Sequence, residues 1–434
     1  MSILMAVIVF SLLIFIHEFG HFILAKKNGV KVIEFSIGFG PRLFSFTKGE
    51  TLYSFKLVPF GGACQMLNKE LLSEEDRTSE DLSRAFESKS VWARMSIVLA
   101  GPIFNFVLAF VLAVVVIGVV GYDKPEVTQI ESGSPADIAG LKKGDVITSF
   151  NGANIDISRQ IYLEQFANPI SEDVVVITYM REGEEYRAEI KPEYVERYVL
   201  GFTYSSQSEK VEIIEISEDG PLKEAGAKKG DIIKSINDNE FASSSDFVEY
   251  LSKNAFDNEE LNIVLLRDDE EIKRDVTPVF SSGGYSLGFS YNQGRVETDA
   301  IGVLKYATVE VGYQISTVFK SIGMLFTGQV TVKDFSGPVG IVDYIDTAYQ
   351  ESKSDGVLYI FLIIANLTML LSANLGVMNL LPIPGLDGGR LLFQVLEVIF
   401  RRPVKHEEYF HLAGMVLIML FAVFVLFQDI FKLF

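Results

Sequence analysis

The run from Ile3 to Leu24 is apolar enough for a bilayer, yet near its end it carries His17-Glu18-Phe19-Gly20-His21. About 22 residues at helical rise span roughly 33 Å, the thickness of a bilayer core. On such a helix His17 and His21 fall at i and i+4, one turn apart on one face, where both imidazoles can bind one zinc ion. Glu18 stands beside them as a candidate general base. Charged and metal-binding groups at that depth are costly and mark function. The plain alternative is a core helix with two satisfied histidines. It is the weaker reading, because the chain has four histidines and this motif takes two of them.

The 434 residues allow two to four domains. Four stretches read as membrane-spanning: Ile3–Leu24, Met95–Val120, Val357–Met378 and the shorter Leu412–Phe427. A long polar region, from about Tyr122 to Asp299, separates the second from the third. The first span lacks a basic leader and a small-residue cleavage site, so it is expected to act as an anchor. Lys26, Lys27, Lys31, Arg42, Lys48, Lys56 and Lys69 follow it, and Arg390, Arg401, Arg402 and Lys405 lie between the third and fourth spans. The positive-inside rule makes both loops cytoplasmic and puts the polar region and both ends of the chain on the other side.

Net charge is −19, and residues 122–299 hold 36 Asp and Glu against 18 Lys and Arg. That excess argues against nucleic acid and anionic lipid as ligands of the polar region, and reads as a solvated acidic surface rather than an acidic recognition face. Cys64 is the only cysteine, so no disulfide forms within the chain. It reads as a small apolar residue.

The polar region repeats itself at an offset of 86 residues: Pro135, Gly140, Gly144 and Asp145 recur as Pro221, Gly226, Gly230 and Asp231. Each copy reads as a strand, a Pro-started short helix, a Gly-stopped turn, a second strand, a polar helix and two β-rich runs. Gly144-Asp145-Val146-Ile147 and Gly230-Asp231-Ile232-Ile233 resemble PDZ domains. Leu200-Gly201-Phe202 and Leu287-Gly288-Phe289 resemble the PDZ carboxylate-binding loop. Each is expected to trail its own repeat, as in circularly permuted domains. The resemblance implies a groove that takes a peptide as an added strand, or else a spacer and size filter without a ligand.

Two imidazoles leave a catalytic zinc site one protein ligand short. The third span runs into Asn379-Leu-Leu-Pro382-Ile-Pro384-Gly-Leu-Asp387-Gly388-Gly389, whose prolines and glycines break a helix. Asp387 would then lie at about the depth of the His pair, unless it is an ordinary exposed turn residue. Together the two segments resemble the paired signatures of the site-2 protease family of intramembrane zinc metalloproteases. The order of the whole chain is similar to the bacterial RseP-type branch, the sigma-E regulator proteases with tandem PDZ domains. The resemblance implies zinc ligated by His17, His21 and Asp387, with Glu18 as the base that activates the attacking water. It implies that Asn379 contacts the substrate backbone or the developing oxyanion. Gly101 and Asn105 resemble the family's Gly-x-x-x-Asn element, with Asn105 as a substrate-side donor; a plain small-residue packing face reads equally well.

Residues Val32–Leu67 read as short β-hairpins around Gly38, Gly40, Gly61 and Gly62. In the family such a segment re-enters the membrane, and an extended substrate pairs with its edge. Ile301–Phe326 reads as an amphipathic helix at the membrane surface or against the second repeat, followed by a break at Ser336-Gly337-Pro338.

The expected architecture is an α-helical polytopic membrane protein of four transmembrane helices, with membrane-associated β-hairpins and two inserted, circularly permuted PDZ-like α/β domains. Its divisions are 1–24, span one; 25–93, cytoplasmic and re-entrant; 94–121, span two; 122–206 and 207–299, the PDZ-like pair; 300–350, surface helix and linker; 356–390, span three; 391–411, cytoplasmic loop; and 412–434, span four. The expected activity is zinc-dependent cleavage of single-span proteins, such as an anti-sigma factor, and of signal-peptide remnants. A first cut outside the cytoplasm precedes it, as in envelope-stress signalling. Membrane lipid is the other expected partner, and the inner membrane the expected place. A silent PDZ scaffold and a metal transporter are the competing classes. Glu18 argues against the first, and the shortage of further intramembrane carboxylates or histidines against the second.

Overall fold

The computed structural model describes residues 2–69, 79–205, 209–268, 270–292, 294–331, 337–352, 356–404 and 406–431. The expected division at 206/207, Ser336 and Lys405 lie outside them. The chain forms two units: Met1–Tyr122 with Gly294–Phe434, and Asp123–Gln293.

The first unit opens with α1 (Ser2–Lys27), which ends in Lys26 and Lys27, where cations suit the negative end of the helix dipole. Then β1 (Val32–Lys48) and β2 (Thr51–Met66) pair antiparallel, from Lys48 opposite Thr51 to Val32 opposite Met66. The expected series of short hairpins is therefore one long ribbon. Irregular register bends it, and Gly38, Gly40 and Gly61 take φ of +86°, +87° and +105°, a region costly to residues with a Cβ. The half near the turn exposes Leu43, Phe44, Phe46 and Phe55. A short α2 (Ser79–Arg84) precedes α3 (Val91–Val120), which Ser90 caps at the amide of Ala93.

In the second unit β3 (Val127–Ile130), α4 (Pro135–Ile138), β4 (Val146–Phe150), β5 (Ala153–Asn154), α5 (Ser158–Ala167), β6 (Val175–Arg181) and β7 (Glu184–Ile190) form the first repeat. After β8 (Glu193–Val199) and β9 (Phe202–Thr203) the pattern recurs as β10 (Glu215–Ile216), α6 (Pro221–Glu224), β11 (Ile232–Ile236), β12 (Asn239–Glu240), α7 (Ser244–Lys253), β13 (Leu261–Arg267) and β14 (Glu270–Val276). β15 (Val279–Ser286) and β16 (Phe289–Tyr291) close the unit. Each repeat has a four-stranded sheet, ordered β5-β4-β6-β7 and β12-β11-β13-β14. Each also buries the aspartate of its Gly-Asp turn on an arginine 36 residues later, Asp145 on Arg181 and Asp231 on Arg267, both at 2.7 Å. Burial pushes the Asp231 carboxyl up, but Arg267 and the Lys228 amide outweigh it and hold it below its ordinary value.

The expected order of loops does not hold. Leu200 is buried in the core of the second repeat, with Ile213, Leu222, Ile233 and Phe247, and β9 pairs with β10. Leu287 is buried in the core of the first, with Val127, Ile147, Phe150 and Ile177, and β16 pairs with β3. Each loop serves the other copy: in the second repeat it leads, and in the first it arrives last. The antiparallel β8–β15 ribbon, with Val199 opposite Val279, carries the chain out and back. A division at 206/207 therefore cuts across the packing.

The first unit resumes with α8 (Ala300–Thr327), α9 (Pro338–Ser352), α10 (Val357–Leu380), α11 (Asp387–Phe400) and α12 (Glu407–Phe431). Among the described residues four helices are long and apolar enough to cross a membrane: Ile3–Lys27, Val91–Val120, Val357–Leu380 and Glu407–Asp429. The expected fourth span starts too late, at Leu412. Much of the expected loop 391–411 is helical, in α11 and the first turn of α12. α8 packs against α3 and α10. Its Ala307 is buried among Ala109, Ala113, Met369 and Ala373 of α3 and α10, and its buried Glu310 accepts from the Gln314 amide at 2.9 Å. Small residues at such contacts let helix backbones approach closely, the main source of helix association in lipid.

Candidate metal centre

Helix α1 places the two imidazoles on one face, with their Nε2 atoms 3.2 Å apart. The third group comes from 366 residues further along. After Leu380 the chain leaves the helix at Leu381 in extended conformation, turns through Pro382–Leu386, and re-enters helix at Asp387. Asp387 Oδ2 lies 3.1 Å from His17 Nε2 and 3.3 Å from His21 Nε2. Among the described residues these three form the one His/Cys/Asp/Glu group able to hold a metal, their donor atoms all within 4.8 Å of one another.

The donor set fits zinc. Asp387 Oδ2 is buried, and neither imidazole donates to it in hydrogen-bond geometry. Three lone-pair donors facing one point are what a tetrahedral cation requires, and two nitrogens with one carboxylate oxygen suit zinc. The outer contacts agree. His21 Nδ1 lies 2.8 Å from the Ile97 carbonyl, which accepts its proton and leaves Nε2 as the free lone pair. His17 Nδ1 lies 3.1 Å from the Asn105 amide. Asn105 Oδ1 is otherwise buried without a partner, so turning that amide lets Oδ1 accept the Nδ1 proton and frees His17 Nε2 in the same way.

Room for the pair comes from two glycines at close approach. A Cβ on Gly101 of α3 would lie 2.7 Å from His17 Cε1 and closer still to His21 Nε2. A Cβ on Gly20 would strike the Ala100 carbonyl. Thus Gly20 lets α3 come close, and Gly101 leaves the rings their place.

Glu18, between the two histidines in sequence, reaches β2 and lines the same cavity as both rings. Its Oε2 accepts the Cys64 amide proton at 2.8 Å. Glu18, Cys64, Arg94, Asp387, Arg390 and His411 are among the residues lining a cavity of about 1180 Å³.

The other expected site residues scatter. Asn379, in the last turn of α10, is half-buried and outside that lining. Asn105 is fully buried on His17. Of the four ribbon glycines Gly62 lines the cavity, and a Cβ there would lie 3.3 Å from Glu18 Cγ; Gly38, Gly40 and Gly61 shape the ribbon instead. Leu200, Gly201 and Phe202 line a separate cavity of about 1240 Å³ in the second unit, with Phe247 and Leu251. Leu287 accepts from the Ala136 amide, and Gly288 from the Glu131 amide, both at 2.9 Å, while Phe289 pairs with Ile130. Sequence reasoning missed the Ile97 carbonyl, the Cys64 amide and His411. The first two are backbone groups, which any residue supplies. His411 falls at the end of the stretch 391–411, which the sequence reads as a loop.

The sequence profile of peptidase family M50 matches residues 5–421. The zinc metalloprotease RasP of Bacillus licheniformis is 30% identical over 99% of this chain and 98% of its own length. The regulator of sigma-W protease RasP of Bacillus subtilis is 30% identical over the same shares. Among solved structures, a PDZ domain of HtrA3 bound to a phage-derived ligand covers 21% of this chain and 93% of its own, at 16% identity and a TM-score of 0.18, too low to support a fold assignment.

Proposed function

Because the chain belongs to peptidase family M50, the site-2 protease family, and is a zinc metalloprotease with membrane-spanning helices, we propose that it hydrolyses peptide bonds inside the spans of single-span membrane proteins. The observation that carries this reading is the convergence of His17, His21 and Asp387 beside Glu18, on helices apolar enough for a bilayer. We assign the three as the zinc ligands. Zinc held there supplies a Lewis acid for the scissile carbonyl and lowers the pKa of water.

The rest is the work of this chain's own groups. Glu18 takes the proton of the attacking water and returns it to the leaving amine. The Cys64 amide orients Glu18 and ties it to β2. Ile97 and Asn105 hold the rings in the tautomer that keeps both Nε2 atoms unprotonated. Asn105 is then a positioning residue, because its burial keeps it from substrate. A helical peptide bond is shielded, so the substrate unwinds and lies extended along β2 near Gly62. Asn379 remains the proposed donor to the developing oxyanion.

The substrate classes are an anti-sigma factor, as the name of the Bacillus subtilis relative suggests, and signal-peptide remnants. Lys26, Lys27 and the arginines around α11 support, by the positive-inside rule, a metal centre near the cytoplasmic face of the cell membrane, with membrane lipid as the other partner. The acidic unit is then exported. We read its two repeats as PDZ-like modules that reject substrates whose ectodomains are still intact.

The test is Glu18→Gln in the purified full chain. It should keep its zinc and lose cleavage of a single-span substrate. Comparable cleavage by the variant contradicts the assignment of the base.

A further inference from the structure

The third proposed ligand opens α11 just after the turn Pro382–Leu386, and helix α12 packs on that turn. His411 Nδ1 accepts the Gly385 amide proton at 3.1 Å, two residues before Asp387. Gly385 has φ +98°, and a Cβ there would lie 2.8 Å from the Met415 nitrogen. A Cβ on Gly414 would strike the Pro384 carbonyl. The backbone of α12 therefore lies directly on the Pro384-Gly385 turn, with no side chain between them. The ring of His411 is fixed on its other sides. Its side chain is 12% exposed and its Nε2 lies 3.4 Å from Glu407 Oε1. Phe393 meets it edge-on, with centroids 5.4 Å apart. An Nδ1 that accepts from Gly385 places the proton on Nε2, toward Glu407. Nδ1 is thus committed to the Gly385 amide, while Nε2 stands near Glu407 outside hydrogen-bond geometry.

We propose that His411 is a positioning residue of the metal centre: through the Gly385 amide it sets the turn that delivers Asp387 to the two histidines. This rests on the reading that Asp387 ligates zinc. Outer contacts that orient a ligand typically matter by 10–100-fold in metal affinity or activity.

The experiment compares His411→Leu, His411→Asn and His411→Gln in the full chain. It reads zinc retained against a chelator, the absorption spectrum after cobalt substitution, and kcat and KM on a single-span substrate. The Leu variant should release zinc about 10–100-fold more readily, with a shifted cobalt spectrum and a lower kcat at little-changed KM. The Asn variant should restore all three, because its side-chain oxygen takes the place of Nδ1. The Gln variant, which reaches only the Nε2 position, should not. A Leu variant with unaltered zinc retention and kcat overturns the proposal, and so does rescue by Gln in place of Asn. If the Leu variant does not fold, the Asn and Gln variants decide: equal zinc retention in the two overturns it. Asp387→Ala, run in parallel, separates the two readings. Full zinc there overturns the ligand assignment itself, whereas lost zinc there beside an unaffected His411→Leu overturns only the role of His411.

Discussion

Asp387 is proposed as a zinc ligand and Glu18 as the base, and single substitutions separate the two roles. Asp387→Ala should lose both zinc and cleavage, read by elemental analysis and a substrate assay. Full zinc occupancy would remove Asp387 from the ligand set. A second residue-scale test concerns the ribbon. Arg42 donates to both Glu34 oxygens, at 3.2 and 3.0 Å, and Ser54 and Lys56 add to it. Together they hold the Glu34 carboxyl at about 2 against an ordinary 4.5. A depressed carboxylate stabilises the fold fully above its ordinary value, and that contribution is lost as pH falls toward about 2. Glu34→Gln should therefore be less stable than the unaltered protein at pH 7, with the gap closing as pH falls from 4.5 toward 2. A gap independent of pH would show that the ion cluster does not stabilise the ribbon. At this scale the sequence was informative wherever a side chain carries the chemistry. Helical spacing paired His17 with His21 and put Glu18 beside them. It could not point to the Ile97 carbonyl or the Cys64 amide, because backbone groups leave no mark in a sequence.

Among the elements, local patterns were legible and long-range pairings were not. All four apolar helices were read, within a few residues at their ends. The basic residues around Arg390 and Arg401 suggested a loop, yet charge marks the side of the membrane and does not exclude a helix, and α11 is one. The exchange of loops between the repeats was hidden for another reason. Leu200 and Leu287 stand in equivalent sequence surroundings, and only the β8–β15 pairing decides which core each enters. Asp429 shows the same limit. Sequence assigned it no role at the metal centre. In the fold it sits in the last turn of α12 and caps α9, accepting from the amides of Gly337, Val339 and Gly340 at 3.0, 3.1 and 3.1 Å. Hydrogen bonds to a charged group contribute about 1.5–3 kcal/mol. Asp429→Ala should therefore keep its zinc but unfold at lower temperature, measured by a thermal melt in detergent. An unchanged melt would show that α9 does not depend on this cap.

For the whole molecule, the question is what the acidic unit does for a reaction whose proposed groups all lie in the other unit. The chain leaves for it just after α3, at Gly121 and Tyr122, and returns at Val296, which exchanges backbone hydrogen bonds with Tyr122 at 3.0 and 2.8 Å. The proposed catalytic groups all belong to the first unit, so a direct part in the chemistry is not expected. Deletion of residues 123–293 should leave cleavage of a short-tailed substrate intact and permit some cleavage of one with its ectodomain uncut, compared in cells at equal protein levels. Unchanged rejection of the uncut substrate would assign selection to the membrane unit. Loss of all cleavage would assign the acidic unit an obligatory role. The central claim is that the bond is cut inside the membrane by this metal centre. Its most direct test is to map, by mass spectrometry, the cut that the purified protein makes in a single-span substrate in proteoliposomes. The account predicts a cut within the apolar span, lost on zinc removal and absent with Glu18→Gln. A cut confined to the flanking polar sequence, or one that Glu18→Gln still makes, would contradict it.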